Sequence, residues 1–580
     1  MFSRKWRTSE RKYNVVVEYD VAIPMRNGIN IICDVFRPND GGKFPAILSE
    51  SCYGKALQSA PIMPAGMDMK NAAAEAGDPY FYGRRGYLHV IADVRGSGKS
   101  GGKYTNYGLQ EQKDTYEIIE WIANHPRCDG NVTMFGFSYF SIVQQQVAAL
   151  NPPHLKTIFS PYAYTDFYRD KFYHGGILSY GFMLAWTGLF SHARVDSWSL
   201  RNMTPEAYEE AIDRMLQDED VRAVPQLVEA LKNPDVGANP LIADILINRF
   251  DGPYYQERNI KYEDIKIPTY LGSDWSLYGL EGVGPATRSW ENINAPKRMI
   301  IGPPYYTDRP LYQYQYESLR WFDYWLKGIN TGIMEESPIK IFVMGANEWK
   351  QTDDWPLPET KWTPFYLHEN GLLSEHEFWP NEGCSSFDDS PMLSTRGSLK
   401  FISPPLVENT EVIGPIILNL YASTTDDEIL WFVSLWDIDS KGKGRLVNDE
   451  GERLLTRGWL RGSQRQIDPE RSKPYEPFHV HLKKEHLIPG KIYEFNIRIE
   501  PTGNLFKIGH RIGLKISAGD GEPPKSFLEG VFGTGHLLRQ ASSRITVYHN
   551  ADYPSHLLLP ITKGNVVGTF ISGGKTSTLA

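Results

Sequence analysis

One serine stands where a nucleophile could be presented to a substrate. Ser138 lies in Gly136-Phe137-Ser138-Tyr139-Phe140-Ser141, between an apolar run at 132–136 and an apolar helical stripe at 141–150. A sharp turn from a strand into a helix exposes the serine hydroxyl and aims the next backbone N–H at a developing oxyanion. The pattern predicts that Ser138 attacks a carbonyl, although Phe140 stands where a second glycine is usual. The alternative is an ordinary helix N-cap.

The segments around this serine predict an open α/β sheet. Residues 13–22 and 30–36 read as antiparallel strands joined by a turn with an Asn-Gly pair. The short apolar runs at 44–50, 87–93 and 132–136 are typical of buried parallel strands. A helical stripe at 110–124 separates the last two. Strand, helix, strand and helix in alternation indicate an α/β fold.

The rest of the chain predicts two further parts. Residues 161–261 are helical and aromatic, which predicts a helical cap over the carboxyl edge of the sheet. Strands at 268–271 and 298–301 and a helix at 312–327 return the chain to the α/β domain. We therefore assign 1–160 and 262–334 to that domain. Strands between Gly, Pro, Asn and Asp turns fill 335–580 and predict an all-β sandwich or jelly roll.

The composition of the chain argues against several classes of function. The 580 residues carry a net charge of −9 without a long basic run, which argues against nucleic-acid binding. No apolar run reaches the roughly 20 residues that cross a membrane, and no apolar segment follows the basic start as in a signal peptide. Four scattered cysteines fit the cytoplasm. We expect no metal and no cofactor, since no ligand cluster appears.

A glycine-rich string near residue 98 is not a phosphate-binding loop. Gly96-Ser97-Gly98-Lys99-Ser100 resembles one, but that motif requires a glycine where Asp93 stands. The string therefore does not predict an NTPase.

Several stretches, in order along the chain, resemble a known family. They are Asp93-Val94-Arg95-Gly96-Ser97-Gly98, Ile119-Glu120-Trp121-Ile122, Gly136-Phe137-Ser138-Tyr139, Leu319-Arg320-Trp321-Phe322-Asp323-Tyr324-Trp325, and Pro554-Ser555-His556-Leu557-Leu558-Leu559-Pro560. The chain resembles the CocE/NonD hydrolases, the group of cocaine esterase, X-Pro dipeptidyl peptidases and α-amino-acid ester hydrolases. The resemblance implies an α/β-hydrolase domain with a helical cap and a C-terminal jelly roll (galactose-binding-like). It also implies a small-molecule ester or amide substrate, and it leaves a homodimer open.

The resemblance also implies an oxyanion site. Tyr53 follows the strand that ends near residue 50 and matches a tyrosine of the family. Its hydroxyl and the backbone N–H of Tyr139 would bind the oxyanion, and losing one such donor typically lowers turnover about 100- to 1,000-fold. Without the resemblance, a tyrosine after a strand would be interpreted as a packing residue.

The acid and the base depart from the family pattern. The family reads G-W-x-D where this chain has Gly272-Ser273-Asp274-Trp275, so Asp274, the best acid candidate, stands one residue early. Glu281 is the reserve, and a solvated loop is the alternative for Asp274. The family's G-P-x-x-H reads Gly302-Pro303-Pro304-Tyr305-Tyr306, which places Tyr306 at the base position. A phenol with a pKa near 10 is a poor base at neutral pH.

Histidines elsewhere are candidate substitutes for the base. His174 at the start of the cap is the first, and the others are His192 and His536; each can equally be structural. His479 and His481 share a strand face, but two histidines alone make no metal site.

Three hypotheses follow from these departures. The first is a serine hydrolase that cleaves a small ester or amide through an acyl-enzyme on Ser138. The second is an α/β-hydrolase with a degenerate triad, repurposed for ligand binding or non-hydrolytic chemistry. The third is that Tyr306 is an engineered change in an otherwise competent enzyme. A serine without its base can lose about a million-fold in turnover, so the departure at Tyr306 decides whether the triad works.

Overall fold

Two large sheets and a helical segment between them make up the described part of the chain. The computed structural model describes residues 7–56, 58, 75–189, 193–277, 279–303, 310–377, 382–392, 396–439, 452–520 and 535–564. Among these residues, no helix combines the length and the apolar character that a membrane crossing needs.

The first sheet contains ten strands and is parallel at its centre. The first twelve strands of the described chain are β1 (Val15–Pro24), β2 (Asn30–Pro38), β3 (Phe44–Ser51), β4 (Leu88–Asp93), β5 (Cys128–Phe135), β6 (Leu155–Pro161), β7 (Tyr173–His174), β8 (Ile177–Leu178), β9 (Thr269–Asp274), β10 (Lys297–Gly302), β11 (Ile339–Val343) and β12 (Glu348–Thr352). They are ordered β1-β2-β4-β3-β5-β6-β9-β10-β11-β12, and β7 and β8 form a separate hairpin. Pairing is parallel from β4 through β11 and antiparallel at both edges. This is the α/β-hydrolase arrangement.

Helices cover both faces of this sheet. Neighbouring residues of a strand point to opposite faces, so a central strand has side chains to bury on each of them. The α-helices in the described residues are α1 (Pro79–Gly83), α2 (Leu109–Ala123), α3 (Tyr139–Ala148), α4 (Tyr180–Leu189), α5 (Trp198–Asn202), α6 (Pro205–Gln217), α7 (Glu219–Arg222), α8 (Pro225–Lys232), α9 (Asn239–Ile247), α10 (Pro253–Gln256), α11 (Val283–Asn292) and α12 (Pro310–Lys327). Leu48 of β3 packs with Ile119 of α2 and Ile142 of α3 on one face. Its neighbour Ile47 packs with Trp321 of α12 on the other.

The first strands after residue 335 join the α/β sheet, which differs from the sequence expectation. β11 pairs in parallel with β10, with Met299 opposite Ile339, and β12 closes the edge. The loss of helical periodicity predicts strands correctly here. It cannot tell which sheet a strand joins, because that depends on distant partners.

The second sheet contains twelve strands and is antiparallel throughout. They are β13 (Lys361–Leu367), β14 (Leu373–Ser374), β15 (Cys384–Asp389), β16 (Ser398–Ile402), β17 (Thr410–Thr424), β18 (Leu430–Ile438), β19 (Glu452–Arg461), β20 (Tyr493–Phe506), β21 (Arg511–Ser517), β22 (Ser543–Asn550), β23 (Tyr553–Pro554) and β24 (His556–Lys563). The main path is β14-β13-β24-β17-β20-β19-β18-β21-β16, and β15, β22 and β23 branch from it at β17. The C-terminal part is therefore an all-β domain.

The helical segment contacts both sheets. It begins with a π-helical turn (Phe167–Phe172) and the β7–β8 hairpin and continues through α4 to α10. Trp186 of α4 donates a hydrogen bond to Tyr53, just after β3. Leu537 donates its N–H to the carbonyl of Leu178, and His536 pairs with Ser179 in an antiparallel bridge. The carboxyl edge of the α/β sheet thus meets the cap, and the cap meets the β domain.

Candidate active site

The turn between β5 and α3 holds Ser138 in a strained conformation. Its backbone has φ 54° and ψ −121°, a region that residues with a Cβ rarely adopt. Gly136 makes the turn possible, because a Cβ there would lie 2.4 Å from the Cβ of Phe140. Phe140 itself is buried in an apolar cluster with Phe36 and Ile91. The side chain that replaces the usual second glycine therefore points into the core, and the Ser138 hydroxyl is presented at the sheet edge.

Two hydrogen-bond donors lie beside Ser138. Tyr139 is the first residue of α3, so its N–H has no carbonyl of its own helix to bond. Tyr53 follows β3, the strand next to β5, and its ring contacts the ring of Tyr139 edge-on at 5.7 Å. The indole of Trp186 donates to the Tyr53 hydroxyl at 2.9 Å. An indole N–H can only donate, so the Tyr53 oxygen accepts and its own hydrogen stays available.

Burial keeps the Tyr53 phenol protonated. The pKa of Tyr53 is raised well above its usual range, first by burial and then by the charge of Glu75. A phenol in this state donates a hydrogen bond and does not accept a proton. Tyr53 and the N–H of Tyr139 therefore suit a carbonyl oxygen that gains negative charge.

Asp274 ends β9 at the same edge of the sheet. Its carboxylate accepts hydrogen bonds from the N–H of Ser276 at 2.7 Å and from the hydroxyl of Tyr162 at 3.4 Å. It lies opposite Gly302, the last residue of β10. Trp275, which occupies the family's acid position, instead donates to the carbonyl of Phe342 at 2.6 Å. Tyr306 lies outside the described residues.

The histidines form clusters elsewhere. His174 contacts His536 at 2.8 Å, and His536 contacts Asp520 at 2.7 Å. Ser138 is not among the described contacts of His174. His174 borders a cavity of about 520 Å³ between the cap and the β domain, and this cavity is also lined by Arg288, Trp459, Phe478, His479 and Arg498.

The other histidine expectations have similar outcomes. His192 lies outside the described residues. The rings of His479 and His481 are 5.7 Å apart, and His481 contacts the side chain of Gln464. No group of metal-binding side chains occurs among the residues that the structure describes.

Glu281 places a buried carboxyl against Ser138. Its backbone carbonyl accepts a 2.6 Å hydrogen bond from the hydroxyl of Ser273, one residue before the end of β9. The Ser138 hydroxyl faces the carboxyl and favours its anion, although neither carboxyl oxygen has a formed hydrogen bond among the described residues. Burial raises the pKa of Glu281 well above its usual range, Glu75 raises it further, and Lys171 opposes the rise.

Lys171 lies in an aromatic cage formed by Trp186, Tyr107 and Tyr164. Its amine is 3.6 Å from the centre of the Trp186 ring, 4.6 Å from that of Tyr107 and 4.8 Å from that of Tyr164. The amine has no hydrogen-bond partner among the described residues. Burial lowers the pKa of Lys171 well below its usual range. The Ser138 region therefore contains a buried acid and a buried amine.

Known families match both parts of the chain. X-Pro dipeptidyl-peptidase (S15 family) matches residues 27–306, and the X-Pro dipeptidyl-peptidase C-terminal non-catalytic domain matches residues 331–558. A CocE/NonD family hydrolase from Staphylococcus aureus superposes with a TM-score of 0.77 at 25% identity, over 94% of each chain. The chain belongs to the CocE/NonD hydrolases.

Other similarities agree with this assignment. Cocaine esterase from Rhodococcus sp. (strain MB1 Bresler) is 25% identical, and the match covers 95% of this chain and 99% of the relative. The structure of an α-amino acid ester hydrolase superposes with a TM-score of 0.70 at 17% identity and covers 96% of this chain and 98% of its own; this likeness shows the fold. The chain is an enzyme of the serine-hydrolase type that acts on ester or amide bonds.

Two residues of this CocE/NonD hydrolase are not evident from the sequence. No motif marks Lys171, although its neighbours Phe167, Tyr168, Phe172 and Tyr173 form an aromatic stretch that predicts burial. The sequence offers Glu281 only as a reserve for Asp274. No local pattern marks it, because its position depends on how the loop after β9 folds back toward β5.

Proposed function

We propose that this CocE/NonD hydrolase cleaves an ester or amide bond of a small organic molecule through an acyl-enzyme on Ser138. The observation that carries the proposal is the strained turn at Ser138, which presents its hydroxyl beside two donors. Strain of this kind costs about 1–3 kcal/mol and persists where the surrounding structure enforces it, as it does at active sites.

The proposed reaction has two half-reactions. The Ser138 oxygen bonds to the substrate carbonyl carbon, its proton passes to a base, and the carbonyl electron pair moves to the oxygen. That oxyanion lies between the Tyr53 hydroxyl and the Tyr139 N–H, which stabilise it. The intermediate expels the alcohol or amine, which takes the proton. Water then attacks the acyl-enzyme in the same way and releases the acid.

Asp274 is proposed as the carboxylate that orients groups on the loop after β10. Its position opposite Gly302 supports this role, as does its burial at the end of β9. The proposal does not assign a step to Tyr306, because a phenol is a poor base at neutral pH.

A second candidate function is ligand binding or non-hydrolytic chemistry by a degenerate triad. One observation favours it: among the described residues, no histidine contacts Ser138. In that case Ser138 would lack a base strong enough for turnover.

A fluorophosphonate probe separates the two candidates. We expect the probe to label Ser138 and the enzyme to turn over p-nitrophenyl esters, because an activated serine does both. Ser138→Ala should abolish labelling and turnover. Ser141→Ala is the matched control, since this buried serine one turn along α3 bonds Ser160 and should leave both unchanged. An unlabelled wild-type protein without esterase activity would establish the second candidate.

We also propose that the protein resides in the cytoplasm. Its four cysteines are unbonded, and Cys33, Cys52 and Cys128 are buried. Free thiols persist in reducing compartments. Thiol titration of the denatured protein from its native cells should find four free thiols, and a disulfide would contradict the proposal.

A further inference from the structure

We propose that the Glu281 carboxylate is the base that accepts the proton of Ser138; this inference rests on the proposed function. The family pattern places a histidine after β10, and this chain has Tyr306 there instead. A carboxylate from the loop after β9 would supply the missing base from another element.

The position of Glu281 is fixed by its backbone. The Ser273 hydroxyl donates to the Glu281 carbonyl at 2.6 Å, and α11 begins two residues later at Val283. The loop that carries Glu281 is therefore tied to the end of a central strand just before a helix begins.

The carboxyl oxygens are available to Ser138. Neither has a formed hydrogen bond among the described residues, although Glu281 is only 1% exposed. A buried polar group without a partner costs about 1–3 kcal/mol and calls for an explanation in a native protein. Asp274 differs, because Ser276 and Tyr162 already donate to its oxygens.

The surroundings make this carboxylate a stronger base than an ordinary one. Burial is the largest cause of its raised pKa, and the charges of Glu75 and Asp274 act in the same direction. Lys171 acts in the opposite direction, and the Ser138 hydroxyl favours the anion. The carboxyl also interacts with the phenols of Tyr53 and Tyr164. A carboxylate whose pKa is raised binds a proton more tightly than an ordinary one, so its anion is the stronger base.

Glu281 accepts and returns one proton in each half of the reaction. As the Ser138 oxygen bonds to the carbonyl carbon, its proton moves to a Glu281 oxygen and the carboxylate becomes a carboxylic acid. That acid then protonates the leaving alcohol or amine and regains its charge. The same carboxylate takes a proton from the water that cleaves the acyl-enzyme, and it returns that proton to Ser138.

Substitution of Glu281 tests the assignment. Glu281→Gln keeps the size and removes the basic group, so we expect kcat and the rate of Ser138 labelling to fall about 100- to 10,000-fold with little change in KM. Glu281→Asp should restore part of the activity. Glu500→Gln is the matched control, because Glu500 is a partly buried carboxyl with an unpartnered oxygen in the cavity beside the β domain. Its activity should equal that of the wild type.

The pH profile supplies a readout that a structural role would not move. Since the anion is the base, the wild-type labelling rate should rise as the pH rises through the raised pKa of Glu281. This rise should vanish in Glu281→Gln. If Glu281→Gln does not fold, the wild-type profile decides, and a flat or falling profile overturns the inference.

The outcomes separate this inference from the proposed function. Full labelling and turnover in Glu281→Gln, with both lost in Ser138→Ala, would overturn the role of Glu281 and leave the hydrolase intact. The same would hold if Tyr306→Phe, and not Glu281→Gln, lost activity. No labelling of wild-type Ser138 would overturn both.

Discussion

The hydroxyl of Tyr53 is oriented by a donor on its far side. Because the Trp186 indole donates to the oxygen, the phenolic hydrogen is left for another acceptor. The raised pKa of Tyr53 keeps that hydrogen in place at neutral pH. A residue from the cap thus orients the hydroxyl that is proposed to stabilise the oxyanion.

Removing this hydroxyl should slow the chemical step. Tyr53→Phe keeps the ring against Tyr139 and removes the donor, so we expect kcat to fall about 100- to 1,000-fold. Trp186→Phe should have a smaller effect, because it disturbs the orientation of the hydroxyl and leaves the hydroxyl present. Steady-state kinetics with a p-nitrophenyl ester measures both, and unchanged kcat in Tyr53→Phe would exclude an oxyanion role.

At the residue scale, the sequence reveals what is local. The turn at Ser138 is recognisable because strand, glycine, serine and helix follow one another directly. The role proposed for Tyr53 comes from the family resemblance. Glu281 and Lys171 are not recognisable in this way. Their chemistry comes from burial among side chains that are distant in sequence, and no spacing rule encodes that environment.

At the scale of elements, α2 supports the start of α3. The Tyr139 hydroxyl donates to Glu111 of α2, and the N–H of Tyr107 donates to the same carboxylate at 3.2 Å. The ring of Tyr107 also stacks on that of Tyr139 at 4.0 Å. These contacts fix the residue whose backbone N–H is proposed to hold the oxyanion.

Glu111 should make stability depend on pH. Burial raises its pKa from 4.5 to about 7, so protonation favours the folded state. The stability it contributes is complete below about pH 4.5 and is lost as the pH rises through about 7. Glu111→Gln should remove this loss, which amounts to about 3 kcal/mol.

Denaturant unfolding at about pH 5 and about pH 8 measures the Glu111 effect. Glu120→Gln is the control, since Glu120 lies on the same helix and is partly exposed beside His154. It should leave the difference between the two pH values as in the wild type. The same difference in Glu111→Gln would contradict the prediction.

Helices and strands are well predicted where the signal lies within their own sequence. The β1–β2 hairpin forms through the expected turn, with Gly28 at φ 83°. Helix α2 spans Leu109–Ala123 against an expected 110–124. The placement of β11 and β12 could not be predicted, because sheet membership is decided by long-range pairing.

At the scale of the whole molecule, a row of three polar side chains joins the cap to the β domain. Asp520 accepts from His536, and His536 contacts His174 of the β7–β8 hairpin. The charge of His536 lowers the pKa of Asp520 against the effect of burial. The backbone of Leu537 bonds Leu178 beside this row. The cap is thereby held over the sheet edge from the β-domain side.

Breaking the row should loosen the cap selectively. His536→Ala leaves Asp520 and His174 buried without their partner, which should lower the free energy of unfolding by about 2–4 kcal/mol. Amides at 179–184 should lose hydrogen-exchange protection, and those of α2 should keep it. His549→Ala is the control, because His549 bonds Ser385 within the β domain. Equal loss of cap protection in both variants would contradict the prediction.

The strained backbone of Ser138 lowers the stability of the fold at the residue that the proposed reaction needs. At φ 54°, glycine would adopt the conformation with less strain than serine does. Selection for heat resistance alone would therefore favour glycine at position 138. The proposed nucleophile at this position therefore carries strain that catalysis requires and folding does not.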